Sequence, residues 1–250
     1  MVLAVRVPGR LERPLVAEHV VAPPPLVGGQ VRPSAGTSTG PDSRPGTHVT
    51  PRVVLFDLGE VLATPPGLYP SLAACLSHPP EAVEAAYWAH RDAYDRGGTA
   101  QSFWSSVLAE LGLPAVRSTI NELTRIDTEA WTTIRPDALS LLKALSARGV
   151  RVGILSNATR EMASAARKAT WARYITDWFF SSELRLAKPD PALYRQVTNV
   201  LGLPAGTIVF IDDRQVNVSA ALESGWNAYL WISGAQTATL LKDLGLFGAE

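Results

Sequence analysis

From Arg52 onward, short apolar runs alternate with stretches in which apolar residues recur every three or four positions. This alternation predicts βαβ units around a parallel sheet. The runs 53–56, 150–155, 178–180, 208–211 and 228–231 are each short and apolar, with polar residues or glycine close behind. Strands buried on both faces have this character. Helical spacing is clearest over 136–147, where Ala138, Leu141, Leu142 and Leu145 share one face, Pro136 opens the segment and Gly149 follows its end. Segments 160–169, 190–201 and 216–224 are expected to be further connecting helices.

About 90 residues separate the first two strands, far more than the dozen or so that one crossover needs. Segments 80–94, 99–111 and 116–131 all read as helical, so the spacing predicts a helical module inserted after strand one. In a parallel sheet that strand end is where ligands bind, and helices inserted there are placed to close over a site and exclude water. The division expected is an α/β core over 52–63 and 135–250 with a small helical cap over 64–134.

Residues 1–51 break the pattern. They contain no Phe, Trp, Tyr or Lys and hold nine of the chain's 19 prolines. A segment so composed buries too little surface to offset its ordering entropy and is expected to be a disordered, Pro/Gly-rich tail. An upstream start codon is one explanation, and a transit peptide another, although the prolines oppose an amphipathic helix.

Composition narrows the field further. The 250 residues are 46% hydrophobic, enough for one core domain with a small accessory module. Lys plus Arg and Asp plus Glu balance at 23 each, so no net field draws the chain to nucleic acid or to a membrane surface. An anion must be held locally. Cys75 is the single cysteine, which excludes an intramolecular disulfide and suits a reducing cytoplasm. No apolar run approaches the ~18 residues of a membrane span. Oligomeric state is not legible in the sequence.

Four polar clusters fall at or beside strand ends: Asp57-Leu58-Gly59-Glu60-Val61-Leu62, Ser156-Asn157-Ala158-Thr159, Lys188-Pro189-Asp190 and Asp212-Asp213. Each alone has an ordinary explanation as a turn or helix cap. In an open parallel sheet, however, they converge on one edge. Asp57, Asp212 and Asp213 can then hold a hard divalent cation such as Mg²⁺, while Ser156 and Lys188 neutralise phosphate oxygens. A carboxylate nucleophile would divide one difficult displacement into two easier ones. Asn217, four residues past Asp213, is either an orienting amide for the acidic loop or a helix-start residue.

In order, spacing and content, the four clusters resemble the motifs of the haloacid dehalogenase (HAD) superfamily, C1-capped and of the IA type, over residues 52 to about 232. The resemblance implies a Rossmann-like core with the first strand central and a phosphatase acting on a small phosphorylated metabolite. By that resemblance Asp57 is the nucleophile, Ser156 with Asn157 binds the substrate phosphate and Lys188 stabilises it. Mg²⁺ would be held by Asp57, the carbonyl of Gly59, Asp212 and Asp213. Most phosphatases of the superfamily carry a second Asp, the general acid and base, where this chain has Gly59. Its loss removes a factor of roughly 10² to 10⁴ and favours leaving groups that need little protonation, such as those of sugar 1-phosphates or acyl phosphates. The sequence Asp-Leu-Gly-X-Val resembles a branch that includes sugar 1-phosphate phosphatases.

The alternatives are a metal-independent 2-haloacid dehalogenase and a catalytically weak HAD-like binding or regulatory protein. Glu60 is a possible substitute acid, though alternation along an extended segment would aim it elsewhere. Within the insert, Tyr87 and Trp88 are expected to pack, with Arg91, Asp92, Asp95 and Arg96 on a solvated face. Arg91, Tyr94 and Trp104 are candidate substrate contacts, with packing as the alternative.

Overall fold

A computed structural model describes residues 50–65 and 67–246, so the tail expected over 1–51 lies almost wholly outside the described residues. Strand β1 (Val53–Phe56) is followed by four helices, α1 (Leu68–Leu76), α2 (Pro80–Asp95), α3 (Ala100–Glu110) and α4 (Arg117–Thr132). Next come α5 (Pro136–Ala147), β2 (Val152–Ser156), α6 (Arg160–Lys168), β3 (Asp177–Phe180), the single turn α7 (Ser181–Leu184) and α8 (Pro191–Leu201). The chain then forms β4 (Ile208–Asp212), α9 (Gln215–Glu223), β5 (Asn227–Leu230) and α10 (Gly234–Asp243).

The five strands form one parallel sheet in the order β3-β2-β1-β4-β5, with β1 central. Successive side chains of a strand face opposite ways, and β1 divides accordingly. Val54 and Phe56 join the core that contains Leu141, Leu142 and Leu145 of α5 and Ala163 of α6. Val53 and Leu55 join a second core with Leu193 and Val197 of α8 and Val218 of α9. Every residue of β1 is buried, as helices on both faces of a parallel sheet require.

Local signals account for the connecting helices. Thr159 caps α6 by accepting from the N–H of Met162 at 3.2 Å, and Asp190 caps α8 by accepting from the N–H of Ala192 at 2.8 Å. Pro136 and Pro191 stand at the first helical positions of α5 and α8, where a missing N–H costs nothing.

Helices α1–α4 pack on one another, and α4 also lies against α6. The chain leaves for them and returns at adjacent points. Ala63 and Ile134 form an antiparallel bridge, and the N–H of Arg135 donates to the carbonyl of Leu62 at 2.9 Å. No helix among the described residues is long and apolar enough to cross a membrane.

Gly153 marks the tightest point of the sheet. A Cβ there would lie 2.6 Å from Leu55 Cδ2 and 3.0 Å from Asp177 Cβ. Gly153→Ala is therefore expected to cost about 1–3 kcal/mol through overpacking, read as a lowered urea midpoint at unchanged slope. A midpoint equal to that of the wild type would contradict this packing.

Candidate active site

Register builds the site. Phe56 pairs with Ile154 of β2 and Ile211 of β4, so the carboxyl ends of the three central strands lie side by side. The N–H of Asp57 continues the ladder to the carbonyl of Ile211 at 2.9 Å. Asp57, Ser156 and Asp212 consequently stand on one edge, and Asp213 follows at once.

Lys188 enters from the loop between α7 and α8. Its Nζ donates to Asp212 Oδ2 at 2.6 Å and lies 2.9 Å from Asp57 Oδ2. The ammonium also sits 5.4 Å from the ring centre of Phe210. Burial pulls the Lys188 pKa down, but the two carboxylates outweigh burial and hold the group above its ordinary value. For Asp57 the balance differs. Burial pushes its carboxyl up to about 7, opposed by the Lys188 charge and reinforced by Asp212, with hydrogen bonds from Lys188 and Ser156 also opposing. Asp213 is raised by burial and then by the charge of Asp212.

Asp212 is held on every side. Its Oδ1 accepts from the N–H of Arg214 and from Asn217 Nδ2, both at 2.9 Å, while Oδ2 takes Lys188. Asn217, in the first turn of α9, thus orients the acidic loop. Tyr194 of α8 fixes Asn217 in turn, its hydroxyl donating to the Asn217 carbonyl at 3.0 Å. Asn157 acts at the opposite end of Lys188. Its Nδ2 donates to the Lys188 carbonyl at 3.0 Å and its Oδ1 accepts from the Lys188 N–H at 2.8 Å. This two-point clamp commits the amide to holding the lysine.

Carboxylate oxygens of Asp57, Asp212 and Asp213 lie within 4.8 Å of one another. Three carboxylates face one ammonium, and Asn217 Oδ1, buried without a hydrogen-bond partner, lines the same cleft. An all-oxygen, anionic donor set of this kind fits Mg²⁺.

The cleft over these groups measures about 420 Å³ and is lined by Asp57, Ser156, Lys188 and Asp213 below and by Trp88 and Trp131 above. Glu60 is an exposed residue of the lining with φ 56°, so the chain is turned, not extended, at that point and strand alternation does not set its direction. A separate hollow of about 320 Å³, lined by His90, Tyr94 and Phe103 among others, contains none of the strand-end residues.

The face of α2 departs from expectation. Trp88 is 51% exposed, whereas Arg91 is 5% exposed and lines the cleft. Arg91 Nε donates to Asp95 Oδ1 at 2.7 Å, and its Nη1 lies 3.6 Å from Asp127 Oδ1. Tyr94 and Trp104 are buried among the aromatic rings of α2 and α3. Two further residues had no local signal in the sequence. Trp131 donates from Nε1 to Tyr87 Oη at 3.0 Å, and Tyr87 donates to Asp127 Oδ1 at 2.7 Å. Their partners lie on another helix, so only the folded chain brings them together.

The parallel sheet with helices on both faces, its central strand ending on a carboxylate paired with a buried lysine, is a Rossmann-like α/β core. The haloacid dehalogenase-like hydrolase family matches residues 51–225, and the chain belongs to that family. It is 31% identical over 161 residues to Phosphatase MT3486 of Mycobacterium tuberculosis (strain CDC 1551 / Oshkosh), spanning 63% of this chain and 73% of that protein. Over 93 residues it is 33% identical to (S)-2-haloacid dehalogenase 4A of Burkholderia cepacia, spanning 37% of this chain and 40% of that protein. Among solved structures, a HAD family enzyme from Bacteroides thetaiotaomicron in complex with magnesium and inorganic phosphate has a TM-score of 0.58 at 21% identity, covering 74% of this chain and 96% of that one. At that identity the likeness shows the fold alone.

Burial pushes Asp127 up to about 7, against the opposing charge of Arg91 and with Asp95 and Glu161 adding to the rise. An unfolded chain releases this proton near 3.8, so the folded state binds more protons between about 4 and 7 and loses stability as pH rises through that window. Asp127→Asn keeps an acceptor for Tyr87 and removes the titration. Its unfolding free energy, read from urea titrations, should fall less steeply than that of the wild type from about pH 4 to 7, by a few kcal/mol at most. Parallel pH profiles would contradict the burial of an ionisable Asp127.

Proposed function

We propose that this chain is a Mg²⁺-dependent phosphomonoester hydrolase that forms an aspartyl-phosphate on Asp57 and acts on a small phosphorylated metabolite. The observation that carries this reading is the convergence of Asp57, Asp212 and Asp213 beside the buried ammonium of Lys188. Bound between the three carboxylates, Mg²⁺ would restore Asp57 to its ionised form and offset charge on the phosphate. Asp212 and Asp213 would hold it with Asp57 and the carbonyl of Gly59.

The chain's own groups do the rest. Lys188 and the Ser156 hydroxyl draw the phosphate oxygens towards Asp57 and neutralise them, and Asn157 keeps Lys188 in place. An Asp57 oxygen bonds to phosphorus as the bond to the leaving oxygen breaks, and the electron pair departs with that oxygen. Water then attacks the acyl phosphate, returning the carboxylate and releasing inorganic phosphate. With glycine at position 59 the leaving oxygen receives no proton from that point, which favours sugar 1-phosphates and acyl phosphates. Helices α1–α4, residues 64–134, would serve as the cap, a boundary supported by the meeting of Ala63 with Ile134.

A metal-independent 2-haloacid dehalogenase is the second reading, favoured by the resemblance to such enzymes. Asp213 weighs against it, because a third carboxylate beside Asp57 and Asp212 raises repulsion that a cation relieves.

Phosphate release from a panel of phosphorylated metabolites decides between them. Turnover should require Mg²⁺, vanish with chelator and fall roughly 10³-fold or more in Asp57→Asn. Chelator-resistant release of halide from a 2-haloacid, or full phosphatase activity in Asp57→Asn, would sink the proposal.

A further inference from the structure

Gly59 is not required by its backbone. Its φ lies outside the left-handed region, unlike that of Glu60 beside it at 56°. Space is what requires it. A Cβ at position 59 would stand 3.1 Å from Cζ3 of Trp131, 3.5 Å from Cε3 and 3.9 Å from Cη2. The benzene edge of an indole carried by α4 therefore crowds any side chain at 59 and would have to give by a few tenths of an ångström to admit one.

That ring is held. Its Nε1 bonds the Tyr87 hydroxyl, which is committed to Asp127, and both Tyr87 and Asp127 are buried. The gap at 3.1 Å is tighter than ordinary van der Waals contact, so the ring and even a methyl group at 59 compete for one volume. Trp131 is 8% exposed and lines the cleft that contains Asp57 and Lys188.

We propose that Trp131 is a specificity-determining residue of this site: its ring excludes a proton-donating acid from position 59 and walls the cleft beside Asp57 with an aromatic surface. This inference rests on the phosphomonoesterase reading and names its substrate class. The class is phosphomonoesters whose leaving oxygen carries charge unaided, as aryl, acyl and anomeric oxygens do, and whose leaving group lays a flat or C–H-rich face on the indole. A phenolic oxygen titrates at about 10, whereas a water-like one holds its proton far more tightly. Alkyl phosphates, with leaving oxygens of the second kind, meet neither requirement.

Two measurements test this. The first is a double-mutant cycle of thermal stability with Gly59→Ala and Trp131→Leu. Gly59→Ala should lower the midpoint of the wild type and leave that of Trp131→Leu unchanged, whereas additive effects would overturn the packing claim. The second is kcat/KM with Mg²⁺ for 4-nitrophenyl phosphate and for glycerol 3-phosphate. Trp131→Leu should lower the aryl-to-alkyl ratio about ten-fold, through a raised KM for the aryl ester. Adding Gly59→Asp to that variant should raise alkyl hydrolysis at least about ten-fold, while Gly59→Asp alone should not. Trp131→Phe replaces the leucine variant if the latter does not fold. An unchanged ratio in a folded, active variant, or a gain from Gly59→Asp alone, would overturn this inference and spare the phosphatase reading. Wild-type protein that hydrolyses neither of these esters nor any member of the metabolite panel would overturn both.

Discussion

The ammonium of Lys188 lies between the carboxylates of Asp57 and Asp212, at 2.9 and 2.6 Å, with almost no access to water. Burying such a charge costs several kcal/mol, and only close pairing with further hydrogen bonds repays it. The surrounding structure supplies both. Asn157 grips the lysine backbone at both polar atoms, and Asp212 is bonded at each oxygen. Tyr194, packed edge-on to Phe210 and Trp226, reaches across to the carbonyl of Asn217. Strand register, the loop before α8 and the start of α9 are thus tied to one buried ion cluster. Asp57 and Lys188 are the members of the ion pair that line the cleft.

The helices over this edge have a polar interior of their own. Arg91 and Asp127 are buried together, Asp95 is partly buried beside Arg91, and Tyr87 and Trp131 complete the set. Unlike the cluster below, it is assembled from two helices, and its burial fixes the indole of Trp131 above the turn that follows β1. Chemistry at the sheet edge and packing in the inserted helices meet at Gly59, whose missing side chain is what lets the two parts close on each other.

Much of this was legible in the sequence because it depends on neighbours along the chain. The buried strands announce themselves as apolar runs, and α5 spans the residues that its proline and its leucine spacing predict. The polar clusters lie at strand ends because parallel strands all end on one edge. Other features escaped for physical reasons. Helix α1 carries Pro70 and apolar residues nearly all round and α7 is a single turn, whereas α10 opens on a cap that is legible, Ser233 accepting from the N–H of Gln236 at 3.3 Å. The amphipathic pattern of α2 identified a polar face but not where that face would lie. Arg91 was expected in solvent and is buried, with Asp95 partly buried beside it, because Asp127 of α4 lies against Arg91. Asn157, a candidate phosphate contact by resemblance, is occupied by the Lys188 backbone, a pairing between residues that only the fold brings together. Trp131 carries no local signal in the sequence, and its place above Gly59 becomes visible only when the two segments meet.

The proposed chemistry turns on whether Asp57 becomes covalently phosphorylated. The most direct measurement is rapid acid quenching of the Mg²⁺-loaded protein during turnover of an acyl or aryl phosphate, followed by peptide mass analysis. A single phosphoryl group on the peptide that contains Asp57, discharged by hydroxylamine and absent in Asp57→Asn, is the result predicted. Continued phosphate release with no phosphoryl group on that peptide, or with the group on another residue, would contradict it.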